Sequence, residues 1–265
     1  MAAVCFLEIS CASAGLSLPE GPSRPVADYQ GRFNQAMDSC RRVRTMQVAM
    51  QVNAESRETT FRGEVLGALS RPASLRLVGV APFGSPGFVL VAKLDDAAVL
   101  VLPRENRVVT ATAVEELLSM IAGVSLSAEE FLAVLTGCFV PAPEAREAKI
   151  YDNGWIGVKV DSESTAYLQT VDNVPVIVAG RRPGLTAWYS GHVRGLPRRI
   201  DLRARSDNGQ TSSLVVTLSQ VSVNIELRPE VFSAEVRDDY FYMTVEEFKF
   251  EGEKLKSNDL LVPSR

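Results

Sequence analysis

Few side chains in this chain are of types that do covalent chemistry. There is one histidine, His192, in Ser190-Gly191-His192, which leaves a single candidate for a catalytic base and rules out any zinc site that needs several His ligands. The cysteines are Cys5, Cys11, Cys40 and Cys138, and no two are spaced C-x-x-C, so neither a redox dithiol nor a zinc knuckle is available. Carboxylates come as adjacent pairs, Asp95-Asp96, Glu115-Glu116, Glu129-Glu130 and Asp238-Asp239, at turns or helix starts, where the helix dipole favours negative charge without any catalytic role. The basic doublets Arg181-Arg182 and Arg198-Arg199 could touch acidic headgroups or simply be solvated. No G-x-x-x-x-G-K-[ST] loop, G-x-G-x-x-G fingerprint or G-x-S-x-G elbow is present, and Gly79 to Gly84 and Gly180 to Gly184 read as turns rather than phosphate loops. The residues therefore point away from an enzyme, with no catalytic residue, metal or cofactor assigned.

Charge excludes a further class. A net charge of −4 and a pI near 5.3 argue against a nucleic-acid partner, whose phosphates demand a basic face, although most of the 28 basic residues are Arg and a local patch can exist. With 46% hydrophobic and 23% charged residues in 265, the composition is that of a folded chain with a core large enough to need no staple.

The first residues carry a separate signal. Met1 to Ser10 is short and mostly apolar, interrupted by Glu8, and is followed by Cys11 among the small residues Ser10, Ala12 and Ser13, then a Gly/Pro/Ser-rich stretch to Pro25. This is similar to the tail of a lipoprotein signal peptide, with 1–11 a partial signal segment, Cys11 the lipidated residue and 12–27 a flexible tether; a frayed terminus is the plain alternative. Export would leave Cys40 and Cys138 as a pair in an oxidising compartment, either bridged or as two buried thiols.

The elements that must position these residues follow from periodicity. Tyr29, Phe33, Ala36, Met37 and Val43 recur at helical spacing over 28–44. Period two then sets in, with strands expected at Met46–Asn53, Phe61–Leu69, Leu75–Gly79, Phe88–Leu94, Ala97–Leu102 and Arg107–Ala111, joined by short links as in an antiparallel meander. Val114, Leu117, Leu118 and Ile121 give a short helix stopped by Gly123, and Ser127 to Glu130 offers a capping start for another, carrying Phe131, Leu132 and Leu135 and stopped by Gly137. Strands return at Ile150–Val160, Thr165–Thr170, Val174–Val178, Leu185–His192, Arg199–Arg205, Ser212–Val216, Val221–Leu227 and Tyr240–Phe250, with hairpin signals at Asp152-Asn153-Gly154 and Asp207-Asn208-Gly209. The expected fold is mainly β with α: a single open antiparallel half-barrel over 28–265, with an N-terminal helix and the two short helices as lids over its concave face.

One turn stands apart. Val80 to Gly87 links two strong strands and places Phe83 between Pro82 and Gly84, where an aromatic ring either packs back onto the sheet or meets an apolar partner. With the strand Met46–Asn53, Phe61-Arg62-Gly63, Leu75-Arg76-Leu77 running into Ala81-Pro82-Phe83-Gly84, the helix pair ending Leu135-Thr136-Gly137, and the late segment Val223 to Leu227, Phe232 and Tyr240 to Phe248, the chain resembles the LolA/LolB superfamily of lipoprotein carriers and receptors. The resemblance runs from about Asp28 to Gly252 and rests on the order of short motifs, closer to the LolB-like receptor branch.

That resemblance implies a half-barrel whose apolar concave face holds acyl chains, at the periplasmic face of the bacterial outer membrane. It implies lipid anchoring at Cys11 and a membrane-insertion loop at Phe83, Pro82 and Gly84. An acylated lipoprotein or lipid would be the ligand, a periplasmic carrier protein the partner, and the chain a monomer. It departs from the receptor pattern in carrying Phe where Leu is usual at the loop tip, and in its greater length. The candidates for lining that face are Val48, Met50, Phe61, Val65, Leu75, Leu77, Phe88, Leu90, Leu117, Ile121, Phe131, Leu135, Trp155 and Trp188, of which those on alternating strands could equally fill a core of their own. The rival expectation is an envelope lipoprotein whose half-barrel is filled by its own side chains and docks a protein partner.

Overall fold

The computed structural model describes residues 16–57, 60–81, 86–94, 97–141, 143–206 and 209–251. Strand β1 (Ser23–Pro25) precedes helix α1 (Gln30–Arg41). Six strands follow: β2 (Thr45–Glu55), β3 (Thr60–Ser70), β4 (Ser74–Val80), β5 (Pro86–Ala92), β6 (Ala98–Leu102) and β7 (Arg107–Ala111). Helices α2 (Val114–Ala122) and α3 (Ala128–Thr136) come next. The second run is β8 (Glu147–Tyr151), β9 (Ile156–Lys159), β10 (Thr165–Val171), β11 (Val174–Arg182), β12 (Leu185–Ser190), β13 (Arg199–Arg205), β14 (Thr211–Val223) and β15 (Phe241–Thr244).

All of them join one sheet of 15 strands in the order β1-β8-β9-β10-β11-β12-β13-β14-β2-β3-β4-β5-β6-β7-β15, which is open, with β1 and β15 at its edges. Its two meanders meet in the middle, where β14 pairs antiparallel with β2 and sets Val216 opposite Val52 and Leu218 opposite Met50. Helices α1, α2 and α3 pack on one face, α1 against β11, α2 against β3, β6 and β7, and α3 against β4. The main core lies between them and the sheet, and includes Phe33, Met37, Leu69, Leu75, Leu90, Leu100, Leu117 and Leu132.

Five expectations are corrected. The sheet is mixed, because β15 pairs parallel with β7, Phe241 opposite Arg107 and Thr244 opposite Thr110. A parallel neighbour requires a crossover, and residues 224–240 supply it, crossing the other face with Phe232 buried and the Arg76 guanidinium donating to the Ser233 carbonyl at 2.6 Å. The strand expected over Tyr240–Phe250 ends at Thr244, and 245–251 is helical. Thr244 caps that helix: its backbone N–H donates to Glu247 Oε2 at 2.7 Å and its Oγ1 accepts from the Glu247 N–H at 3.3 Å, a reciprocal box that wins over strand alternation. Ile150–Val160 is two strands, split at the Asp152-Asn153-Gly154 turn. Ser212–Val216 and part of Val221–Leu227 are one strand, β14, carried through a register shift between Ser219 and Ser222. Within 12–27, Ser23–Pro25 is paired to β8 as β1.

Candidate functional site

Both short helices have local reasons to form where they do. Ser127 Oγ accepts from the Glu130 N–H at 3.1 Å while the Ser127 N–H donates to Glu130 Oε2 at 2.8 Å, so α3 starts on a full capping box. At α2 the Ala113 N–H and the Thr112 hydroxyl donate to Glu116 Oε1 at 3.2 and 2.9 Å. Gly123 and Gly137 then end the helices with φ of 67° and 83°, a left-handed cap that a side chain would oppose. At nine residues each, neither helix is stable alone in water, so both are held by what they cover.

Between them and the sheet lies a cavity lined without a single polar side chain. Met50 and Val52 come from β2, Phe61 and Val65 from β3, Leu77 from β4, Phe88 from β5, and Leu214 and Val216 from β14. The roof is Leu118, Ile121 and Ala122 of α2 with Phe131 of α3. Gly79 sits opposite Phe88 across β4 and β5, and a Cβ there would run into the Phe88 ring; bare backbone is what lets that ring lie flat over the strand. Phe88 meets Phe61 edge to face, centroids 5.8 Å apart, and the pair narrows the cavity. Its volume is about 40 Å³.

Seven of the fourteen lining candidates are brought together here: Met50, Phe61, Val65, Leu77, Phe88, Ile121 and Phe131. Val48, Leu75, Leu90, Leu117 and Leu135 are buried in the same core without lining the cavity. Trp155 and Trp188 are elsewhere. Leu185, Ala187 and Tyr189 of β12 belong to the helix-side core, so Trp188 between them projects from the opposite face, where it clusters with Tyr167 and Ala179 against Leu18, Tyr151 and Trp155. Val52, Leu118, Ala122, Leu214 and Val216 were absent from the sequence list. Leu118 and Ala122 were findable from the helical stripe, whereas Leu214 and Val216 reach the cavity through the long-range β14–β2 pairing. Cys11 and the loop residues Pro82, Phe83 and Gly84 lie outside the described residues.

Polar ties between described residues hold the roof, among them two ion pairs and a hydroxyl. Arg182 on β11 pairs with Glu130 at the start of α3, and Arg71 reaches Glu129 at 3.4 Å. The Ser212 hydroxyl on β14 donates to the carbonyl of Gly123 at the end of α2. Burial alone would raise the Glu130 carboxyl, but the Arg182 guanidinium and the Ser127 backbone N–H outweigh it and hold the group below the usual carboxylate range. At the other end of α3, Cys138 is bonded to Cys40 of α1, with Cα atoms 5.7 Å apart.

The lone histidine is engaged with backbone. His192 Nε2 lies 3.1 Å from the Ile177 carbonyl, and partial burial lowers its pKa, so the ring is neutral with its proton shared to that oxygen. Among the described residues no three His, Cys, Asp or Glu side chains gather as a metal site, and no helix is long and apolar enough to cross a membrane. Glu115-Glu116 and Glu129-Glu130 occupy the first turns of α2 and α3, as their spacing predicts.

No protein-family model matches the chain, and no curated protein does. Among solved structures it is similar to a LolA superfamily protein of Nitrosomonas europaea at 12% identity and a TM-score of 0.48, covering 79% of this chain and 99% of that one. It is also similar to a DUF1329 family protein of Desulfovibrio piger, at 12% identity and 0.45, covering 78% and 98%. A domain assigned to outer-membrane lipoprotein sorting in Vibrio parahaemolyticus matches at 10% identity and 0.45, covering 78% and 97%. Nothing in these likenesses separates a carrier from a receptor branch.

Proposed function

We propose that the chain is a non-enzymatic acyl-chain binder of the bacterial envelope, serving reception or transfer of lipoprotein or lipid, with the sheet acting as a half-barrel and α2 and α3 as its lid. The observation that carries this reading is the all-apolar lining of the cavity under two helices that depend on tertiary contacts. Such a site recognises hydrocarbon and little else, and each CH₂ it buries is worth about 0.8 kcal/mol. At about 40 Å³ the cavity is far below the roughly 300–1,000 Å³ of ligand pockets. The structure is thus the closed state of this reading, and loading requires the lid to lift.

The ties say how. The disulfide and α1 anchor the C-terminal end of α3, so the lid opens from the Glu130 end, with Arg182–Glu130, Arg71–Glu129 and Ser212–Gly123 breaking. Exchange between two proteins then needs only a difference in affinity between open and closed states. Outer-membrane residence through Cys11, contact of Phe83 with a membrane, one domain over 28–265 and a monomeric state belong to the same proposal.

The small cavity favours a second reading: a self-filled half-barrel that docks a protein partner. Expression of residues 12–265 in a bacterial periplasm, purification without detergent, and native mass spectrometry with lipid extraction separate the two. A reproducible added mass of acylated lipid supports the binder. A clean unliganded mass that also persists after incubation with lipid vesicles rejects it in favour of the docking protein.

A further inference from the structure

We propose that an arginine-lined cleft at the rim of the sheet is a headgroup site for a phosphoryl-bearing amphiphile whose acyl chain enters the apolar cavity. This rests on the acyl-binding reading and adds the chemical class of ligand. The cleft is open, about 710 Å³, and gathers Arg57, Arg181, Arg182, Arg203 and Arg205 with one carboxylate, Glu55, among its described lining residues. Such a concentration of positive charge is unexpected in a chain of net charge −4.

The register builds it. Arg181 sits opposite Thr186, Thr186 opposite Arg203, Arg203 opposite Ser213, and Ser213 opposite Glu55, one row across five strands. Arg205, opposite Thr211, extends the same face by one pleat. Arg203 is stacked over Trp188 at 5.2 Å, which fixes its position. Arg182 is taken up by Glu130. Arg57, Arg181 and Arg205 form no ion pair among the described residues. Like charges gathered in one cleft are relieved by an anion, and the planar guanidinium fork suits phosphate oxygens.

Position makes the cleft a headgroup site rather than an isolated patch. It shares Ser56, Arg57, Thr211 and Ser212 with a second cleft of about 550 Å³. That cleft in turn shares Phe61 and Ile121 with the apolar cavity. The Arg181–Glu55 row projects from the outer face with Trp188, so a headgroup held there connects to the inner cavity round the rim of the sheet, at Ser56, Arg57, Thr211 and Ser212. Arg182 also joins the parts, since an anion that competes for it loosens Glu130 and the lid.

The test uses the full chain and two vesicle populations with identical dioleoyl chains, phosphatidylglycerol and phosphatidylcholine, with uptake read by native mass spectrometry. Uptake of the anionic lipid is expected to exceed that of the zwitterionic one by about tenfold or more at low salt, the scale of one or two charge-assisted hydrogen bonds. The preference should shrink as salt screens it. Arg57→Gln with Arg181→Gln and Arg205→Gln should lower phosphatidylglycerol uptake to the phosphatidylcholine level, with unchanged melting temperature and phosphatidylcholine uptake. Arg205→Gln alone, the mildest change, should lose part of the preference. Equal uptake of both lipids by the parent chain, or a preference that survives in the variants, overturns the headgroup site and leaves the acyl reading intact. Uptake of neither lipid overturns both. Inorganic phosphate should compete with phosphatidylglycerol and spare phosphatidylcholine; saturation by phosphate with no lipid preference makes the cleft a free-anion site and overturns the proposal.

Discussion

The two faces of the sheet use the same alternating strands and finish them differently. On the outer face Tyr167, Ala179 and Trp188 pack with Leu18, Tyr151 and Trp155, the rings of Tyr151 and Trp155 lying 6.2 and 6.1 Å from that of Tyr167. The chain's own N-terminal segment covers this cluster in part, through Leu18, and β1 is hydrogen-bonded to the sheet edge. On the inner face, beside α1, the cover is two nine-residue helices held by ion pairs, a hydroxyl and a disulfide, and an apolar cavity remains beneath them. Aromatic burial alone therefore does not mark a ligand site. On the acyl-binding proposal, what marks the inner face is a cover held by contacts that can break.

The comparison can be broken most severely at the staple. Cys40→Ser with Cys138→Ser frees a loop whose ends are 98 residues apart, and chain entropy puts the loss at roughly 4–5 kcal/mol. Urea unfolding should show a lower midpoint, and intact mass should show a two-hydrogen change on reduction of the parent chain. A parent mass unchanged by reductant would remove the staple from the account.

The faces are separated by a matched pair of variants. Trp188→Ala should cost about 3–5 kcal/mol, the usual range for a buried large aromatic, while uptake of the zwitterionic phosphatidylcholine, which does not draw on the arginine cleft, stays at the parental level per folded molecule. Ile121→Glu should do the reverse, because Ile121 is only half-buried yet roofs the cavity, and a carboxylate there must be desolvated by any acyl chain. Loss of uptake in the Trp188 variant would show that the outer cluster binds the ligand.

A smaller change sharpens the lid. Glu130→Gln removes the charge that Arg182 and the Ser127 N–H share, for about 1–2 kcal/mol, and should speed lipid uptake by raising the open population. Because the Glu130 carboxyl is held below its usual 4.5, the stability it contributes is complete above about that pH and is lost as pH falls through the lowered value. The variant should flatten that acid limb of a melting-temperature profile.

The smallest effect belongs to His192. Its folded-state pKa is lowered from 6.5 by burial, so its contribution is present above that pH and is lost as pH falls below it. His192→Gln should remove this shallow slope and leave acyl binding unchanged; a loss of binding would return the histidine to the site.

Most of the strands and all three long-patterned helices were legible in the sequence, because alternation and capping are local. Thr244 to Glu247 was legible too, as a capping box, but a run of aromatic residues hid it. Seven of the twelve lining residues could be read for the same reason that others could not. Period two assigns residues to opposite faces of a strand without saying which face is which, so Trp188 and Leu185 looked equivalent until β12 was set between β11 and β13. Leu214 and Val216 needed the pairing of β14 with β2, a contact between segments more than 150 residues apart, which no local pattern carries.

The central claim is that the inner face, and not the outer, receives an acyl chain. A fatty acyl probe with a diazirine at its terminal carbon, loaded into the full chain and photolysed, locates that chain by peptide mapping. The account predicts adducts on Met50, Leu77, Ile121 or their cavity neighbours, and loss of those adducts in the Ile121→Glu variant. Adducts confined to Tyr167, Trp155 and Trp188, or no specific adduct at all, would contradict it.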